Sequence, residues 1–300
     1  MKNFQNKVAA ITGAGSGIGR ALALELARRG VHMALSDRDD KALAQTAAMV
    51  RHQSPALKVT CHVVDVANRG AMHEWADTVA QEFGRINLIF NNAGVALSST
   101  IEGMAYDDLE WIVGVNLWGV IHGTKAFLPY LKASGDGHIV NLSSVFGLFA
   151  QPGMSAYNTT KFAVRGFTES LRQELDLMDC GVSATSVHPG GIKTNIAKAS
   201  RVSANMRTLL GQDEQAGRDQ FEKFLVTTPE KAASAILEAV RRNSRRALIG
   251  RDAFAGDLLA RTLPAAYQTL VVHASRRARK QAAAAVKTPA VAPGCMEERQ

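Results

Sequence analysis

The stretch Val8-Ala9-Ala10-Ile11-Thr12-Gly13-Ala14-Gly15-Ser16-Gly17-Ile18-Gly19 decides the fold. Val8 to Thr12 runs apolar without polar alternation, as a strand covered on both faces does. The glycines after it let the chain turn tightly and bring its backbone close to a bound group. From Ile18 to Arg29 the apolar residues take helical spacing. Strand, glycine-rich turn and helix make a phosphate cradle, because the helix N-terminus offers free N–H groups and partial positive charge to an anion. Glycine-rich turns are common; the strand before and the helix after give this one its weight. Gly13, Ser16, Gly17, Ile18 and Gly19 are the expected contacts to a dinucleotide's pyrophosphate, and Gly19 also permits close helix–sheet packing.

The same alternation continues outward. Further strand-like runs are Val31 to Asp37, Val59 to Asp65, Leu88 to Asn91, His138 to Ser143, Val182 to His188 and a weaker Ala247 to Gly250. Amphipathic helical stretches lie between them at Asp40 to Arg51, Arg69 to Phe83, Tyr106 to Leu131 and Ala156 to Met178. Strand alternating with helix gives right-handed βαβ units and a parallel sheet with helices on both faces. The expectation is a single α/β domain of the doubly wound, Rossmann type over about residues 5 to 250. Residues 1–250 then make the dinucleotide-binding and catalytic unit. Within it, 191–229 is a long insertion at the carboxyl end of a strand, with helices expected at Val202 to Leu210 and Ala216 to Leu225. A substrate lid would sit there. Residues 251–280 form a helical extension, with a helix at Ala253 to Arg261 interrupted at Pro264, and 281–300 is expected to be a disordered tail.

Composition agrees. The chain is 46% hydrophobic and 21% charged, which suits a soluble globular protein able to bury a core without disulfides. No apolar run reaches the length of a membrane span, Met1 to Lys7 lacks the apolar core of a secretory signal, and no repeat is visible. The net charge of +8 comes from the C-terminal end, where Arg241 onward holds 12 basic and 4 acidic residues. The plain reading is a solvated tail. Nucleic acid is not expected, because no aromatic stacking platform interleaves the cluster. Peripheral contact of Leu258 to Val272 and Arg276 to Lys280 with an anionic membrane stays as an alternative. Cys61, Cys180 and Cys295 make neither metal spacing nor a disulfide framework. Cys61 and Cys180 are expected in the core, and a reducing cytoplasm fits best. No metal site is expected.

Asp37 ends the second strand at a distance from Gly19 that suits hydrogen bonds to the adenosine ribose. Its charge would repel a 2′-phosphate, so NAD is favoured, whereas the adjacent Arg38 could pair with the phosphate of NADP. Asp65, with Val66 beside it, could meet the adenine or merely cap a turn. Tyr157 and Lys161 stand four residues apart on one helical face. A phenol with an ordinary pKa of about 10 is a poor base at neutral pH, and a nearby ammonium would lower it. Tyrosine could then exchange a proton with an alcohol or carbonyl as hydride moves. Ser143 and Ser144 end the fifth strand at the carboxyl edge, where ligands bind. Asn91-Asn92-Ala93-Gly94 closes the fourth strand, Asn116 lies inside a helical stretch, and Pro189-Gly190 follows the sixth strand with Ile192 and Thr194 just after.

Together these residues resemble the short-chain dehydrogenase/reductase family over residues 5 to 250. The matching pattern is Thr12-Gly13-x-x-x-Gly17-x-Gly19, Asn91-Asn92-Ala93-Gly94, Asn116, Ser144, Tyr157-x-x-x-Lys161 and Pro189-Gly190-x-x-x-Thr194. The resemblance implies Tyr157 as acid/base and Ser144 orienting the substrate oxygen. It implies Lys161 bonding the nicotinamide ribose and tuning the tyrosine, and Asn116 supporting a proton relay through water. It places Asn92, Ala93 and Gly94 near the cofactor, and Pro189, Gly190, Ile192 and Thr194 at the nicotinamide end. It further implies a seven-stranded sheet in the order 3-2-1-4-5-6-7 and a homodimer or homotetramer with seams on the helices Tyr106 to Leu131 and Ala156 to Met178. The activity implied is hydride transfer between a nicotinamide cofactor and a secondary alcohol or ketone, as in bacterial NAD(P)-dependent alcohol dehydrogenases and ketoreductases. Two departures stand out. The chain continues to Gln300, past the usual family length. Asp37 also stands where bacterial ketoacyl reductases usually carry a basic residue.

His188 and His138 read as structural, since neither has a second ligand at metal spacing. Trp111 and Trp118 fall seven apart and are expected on one face, in packing or a subunit seam. Phe146, Leu148 and Phe149 either line an apolar substrate pocket or pack their own loop. A non-enzymatic nucleotide sensor or scaffold on the same fold is the competing reading. It would be expected to lose Tyr157, Lys161 or Ser144.

Overall fold

Apolar runs too continuous for a one-sided sheet become its central strands. In the computed structural model, which describes residues 1, 3–196, 199–211, 222 and 224–287, these are β1 (Val8–Thr12), β4 (Leu88–Asn91) and β6 (Gly137–Leu142). Every residue of the three is buried. With β2 (His32–Asp37), β3 (Val59–Val63), β7 (Val182–Pro189) and β9 (Arg246–Ile249) they form a seven-stranded sheet in the order β3-β2-β1-β4-β6-β7-β9. All six pairings are parallel. This is the expected order, because β5 (Leu97–Ser98) and β8 (Arg201–Val202) lie apart in a two-stranded ribbon.

Alternate strand residues feed two separate cores, as a pleat with period two requires. Ala9, Ile11, Leu35 and Phe90 pack under α1 (Gly17–Arg28), α2 (Asp40–Gln53) and a later helix, Pro229–Arg241. Ala10, Ala34, Ile89 and Ile139 pack on the other face under α3 (Arg69–Phe83), with Trp75 edge-on to Phe127. Helix starts follow local chemistry. Asp39 caps α2 by accepting the Ala42 N–H, and Asn68 caps α3 by accepting that of Ala71. Cys61 departs from expectation. It lies on β3, the sheet's edge strand, and is exposed, while Cys180 is half-buried.

The single helix expected over Tyr106 to Leu131 is broken. α4 (Tyr106–Val113) passes through a π-helical turn, Gly114–Trp118, into α5 (Gly119–Ser134). Asn116 sits in that turn. The extra residue in the turn shifts the helical spacing between Trp111 and Trp118, and the two rings meet different partners. Trp118 is half-exposed and stacks on His122, whereas Arg201 lies over Trp111, 3.8 Å from the ring centre. α6 (Ser155–Met178) is unbroken.

After β7 the connection starts and ends as one ribbon, with the Gly191 carbonyl accepting the Val226 and Thr227 N–H groups. The helix expected at Val202 to Leu210 is shorter. Arg201–Val202 forms β8, paired with β5, and α7 spans Met206–Leu210. Of the helix expected at Ala216 to Leu225, residues 216–221 and 223 lie outside the described residues. α8 (Pro229–Arg241) follows, capped by Thr228. Beyond Gly250 come α9 (Arg251–Thr262) and α10 (Tyr267–Lys287), with Pro264 between them. α10 runs into the stretch expected to be disordered; the rest of that stretch, 288–300, lies outside the described residues. Among the described residues no helix is long and apolar enough to cross a membrane.

Candidate active site

The glycine turn is held from three sides. Thr12 Oγ donates to the Phe90 carbonyl and accepts the Asn92 and Ala93 N–H groups at 2.9 and 3.0 Å. Asn92 answers through its amide, donating to the Thr12 carbonyl (2.9 Å) and the Gly13 carbonyl (3.1 Å). From behind, Arg20 donates to the Gly15 carbonyl and to Thr46 Oγ. The fit leaves no room for side chains. A Cβ on Gly19 would lie 2.1 Å from the Gly13 oxygen, and one on Gly13, at φ +65°, 2.8 Å from Ala93 Cα. The glycines are thus required by the tight packing of the turn on the Asn92–Ala93 segment. Thr194 meets the turn from across the site, its Cγ2 3.0 Å from where a Gly17 Cβ would be.

Asp37 stands at the end of β2 beside this turn. Its Oδ2 accepts the Gly15 N–H at 2.8 Å and its Oδ1 that of Asp39 at 3.0 Å. Arg38 is exposed and has no ion-pair partner among the described residues. Asp65 bonds within its own turn, accepting the Ala67 N–H at 3.0 Å. Val66 is buried against Gly119, where a Cβ would come within 2.7 Å of its Cγ2.

β4 and β6 deliver the other residues to one edge. Ser144 follows β6, and its Oγ accepts the Phe146 N–H at 3.1 Å. Tyr157 and Lys161, one turn apart on α6, are both buried; the Lys161 nitrogen lies 5.7 Å from the centre of the Tyr157 ring. It donates to the Leu142 carbonyl at 2.9 Å, and Ser143 Oγ donates to the carbonyl of Lys161 at 2.8 Å. Burial pushes the Tyr157 phenol above its ordinary value, and the neighbouring Ser144 hydroxyl opposes that rise. Burial alone lowers the Lys161 ammonium to about 8. Gly94 passes over both Lys161 and Asn116, 3.6 and 3.4 Å from their polar atoms as measured from an ideal Cβ. Asn116 is fully buried. Its Oδ1 accepts the Val95 N–H at 2.8 Å, and its Nδ2 donates to the Val95 carbonyl (2.9 Å) and Thr160 Oγ (3.3 Å). An amide inside a helix is satisfied here because the π turn aims it at a loop.

His188 lies under the serine. Its Nδ1 donates to the Ser144 carbonyl at 3.1 Å, so Nε2 is the acceptor for Ser186 Oγ at 3.0 Å. Burial, opposed by the bond to Ser144, holds its pKa at about 4, and it stays neutral. His138 is equally enclosed, beside Thr185 Oγ at 2.8 Å, and is lowered to about 3. Pro189 ends β7, and the N–H of Gly190 just after it donates to the Ile249 carbonyl. Ile192 is buried.

The structure thus gathers Asn92, Ala93, Gly94, Asn116, Ser144, Tyr157 and Lys161 around one edge, with Thr194 facing the glycine turn, and leaves Asp65 in a local turn. Sequence reasoning missed Arg20, Thr160 and the bond from His188 to Ser144, all of which bridge distant segments. Arg20, a cation in the first turn of a helix where an acid is the usual choice, was the available signal.

This is the geometry of a dinucleotide-binding α/β protein with a tyrosine–lysine pair at the switch point of its sheet. The profile of the short chain dehydrogenase family matches residues 7–205, and the chain belongs to that family of oxidoreductases. It is 47% identical over 272 residues to a putative oxidoreductase, SadH, of Mycobacterium tuberculosis, covering 90% of this chain and 96% of that one. Among solved structures it is similar to a short chain dehydrogenase/reductase of Burkholderia phymatum in complex with NAD, with a TM-score of 0.75 and 30% identity, covering 98% of this chain and 100% of that one. Levodione reductase is also similar, with a TM-score of 0.73 and 25% identity, covering 85% and 99%. NAD(P) is the cofactor class. The residues present fit its pyrophosphate in that the glycine turn opens α1 at Gly17 with no acidic residue in the helix's first turn, so free backbone N–H groups meet an anion there.

Proposed function

We propose that the protein transfers hydride between NAD(H) and a secondary alcohol or ketone, with Tyr157 as general acid/base. The observation that carries this is the buried pair of Tyr157 and Lys161 one turn apart on α6, with the Lys161 nitrogen 5.7 Å from the Tyr157 ring centre and Ser144 buried just after β6. When bound, the nicotinamide supplies or accepts the hydride. In reduction Ser144 and Tyr157 hold the carbonyl oxygen, and Tyr157 gives it a proton as negative charge develops. A phenol raised by burial is a poor base, and the nearby ammonium favours the phenolate that remains. Lys161 uses one N–H on the Leu142 carbonyl and has others for a ribose hydroxyl. Asn116 keeps the loop at Val95 over this pair and supports the relay that returns a proton toward Lys161.

We assign Gly13, Ser16, Gly17, Ile18 and Gly19 to the pyrophosphate and Asp37 to the adenosine ribose. Asp65 and Val66 go to the adenine side, and Pro189, Gly190, Ile192 and Thr194 to the nicotinamide end. Asp37 favours NAD over NADP, since a 2′-phosphate would meet a carboxylate already fixed to the Gly15 N–H. The substrate is apolar, lying against the loop of Phe146, Leu148 and Phe149. Trp118, exposed at the end of the π turn, and Phe162, exposed on α6, suit a seam between copies of the chain.

The test is a panel of secondary and primary alcohols offered with NAD. Deuterium on the carbinol carbon of a secondary alcohol should appear on the reduced nicotinamide. Absence of label transfer from every secondary alcohol, and to every ketone in reverse, would remove the reading.

A further inference from the structure

The extension beyond Gly250 is built into the wall of the site. Asp252, in the first turn of α9, accepts the Gly191 N–H next to the Pro189-Gly190 turn. On the same helix Gly256 faces the loop after Ser144; a Cβ there would come within 2.6 Å of the Phe149 ring and 2.9 Å of Val145. Tyr267 opens α10. It is only 7% exposed, although its neighbours Ala265, Ala266, Gln268 and Thr269 are exposed. Its hydroxyl accepts the Ala150 N–H at 3.1 Å.

From Tyr267 a chain of rings leads inward. Tyr267 meets Phe149 edge-on at 6.1 Å, Phe149 meets Phe146 at 5.5 Å, and Phe146 meets Tyr157 at 6.3 Å. Each pair is close to perpendicular, at 80°, 77° and 81°, the arrangement that ring quadrupoles favour. A phenylalanine at 267 could supply the ring. Only the hydroxyl answers the Ala150 N–H, which a loop backbone must otherwise leave to water.

We propose that Tyr267 is a positioning residue that holds the loop from Val145 to Gln151 against Tyr157, so that the C-terminal extension determines substrate specificity. The substrates concerned are ketones whose apolar group is large enough to rest on Phe146 and Phe149. The specificity claim rests on the reading of Tyr157 as the acid/base; the hold on the loop does not.

The experiment uses the full chain carrying Tyr267→Phe or Tyr267→Ala. Hydrogen exchange is read at Ala150, and reduction of acetophenone is compared with that of butanone. Losing one backbone hydrogen bond should speed exchange at Ala150 about tenfold in Tyr267→Phe, while residues 13–19 exchange as before. In Tyr267→Ala the KM for acetophenone should rise about tenfold, with that for butanone and the Kd for NADH within about twofold of wild type. Unchanged exchange at Ala150 in Tyr267→Phe overturns the hold. Equal KM changes for both ketones, or weakened NADH binding, overturn the specificity claim. If Tyr267→Ala does not fold, the two ketones are compared in Tyr267→Phe, with the same direction expected. If the wild type reduces no ketone, the proposed function and the specificity claim fall together, while exchange at Ala150 still decides the hold.

Discussion

Lowering the pH from 7 to 5 should destabilise the fold by about 4 kcal/mol, because two buried imidazoles stay neutral in it. His188 is held at about 4 and His138 at about 3, whereas an unfolded chain protonates its histidines near their ordinary value of 6.5. A depressed folded-state pKa contributes stability that is present above the unfolded value and lost as pH falls toward the folded one. At pH 5 each group therefore withholds about 2 kcal/mol relative to pH 7, from about 1.4 kcal/mol per pKa unit. His122, also lowered mainly by burial, adds in the same direction. Burial raises Glu25, Glu169 and Asp176, but their arginine partners outweigh it and hold them low, so they lose their contribution only at more acid pH. The window from 7 to 5 thus belongs to the histidines. Urea unfolding at pH 7, 6 and 5 measures the change, and His188→Asn should roughly halve it. A loss below about 1 kcal/mol, or an unaltered pH dependence in His188→Asn, would refute the burial argument.

Gly19→Ala should abolish NADH binding and destabilise the fold by about 1–3 kcal/mol, since its Cβ meets the Gly13 carbonyl rather than a side chain that can yield; calorimetric titration and thermal melting check both. Asp37→Ser should bring the NADPH and NADH dissociation constants together, and a retained preference for NADH in a side-by-side titration would take the role from Asp37. For ketone reduction, kcat/KM should fall as pH rises through about 8, where Lys161 loses its proton; a profile flat to about pH 9.5 would contradict the ammonium's role.

Strands β1, β4 and β6 are legible because a parallel sheet covered on both faces leaves an unbroken apolar run. The edge strand β3 interrupts its apolar residues with Thr60 and His62, and Cys61, expected in the core from its residue type, is exposed there. The π turn at Gly114–Trp118 hides within a helical pattern because one extra residue changes the face presented, not the composition. In the site, the pairing of Tyr157 with Lys161 and the glycine turn are local and can be read from spacing. The contacts of Thr12 with Asn92, His188 with Ser144 and Tyr267 with Ala150 join segments far apart in the chain. No periodicity encodes them. Tyr267 did carry one sign, an aromatic in an extension otherwise rich in alanine and arginine.

The central claim is that a single phenol moves the proton that accompanies hydride transfer. Tyr157→Phe keeps the ring against Phe146 and removes only that proton. Turnover of a deuterium-labelled secondary alcohol, measured beside NADH affinity, should fall at least about a thousandfold with affinity within about twofold of wild type. Turnover near that of the wild type under saturating alcohol would mean that another group carries the proton and that the assigned chemistry is wrong.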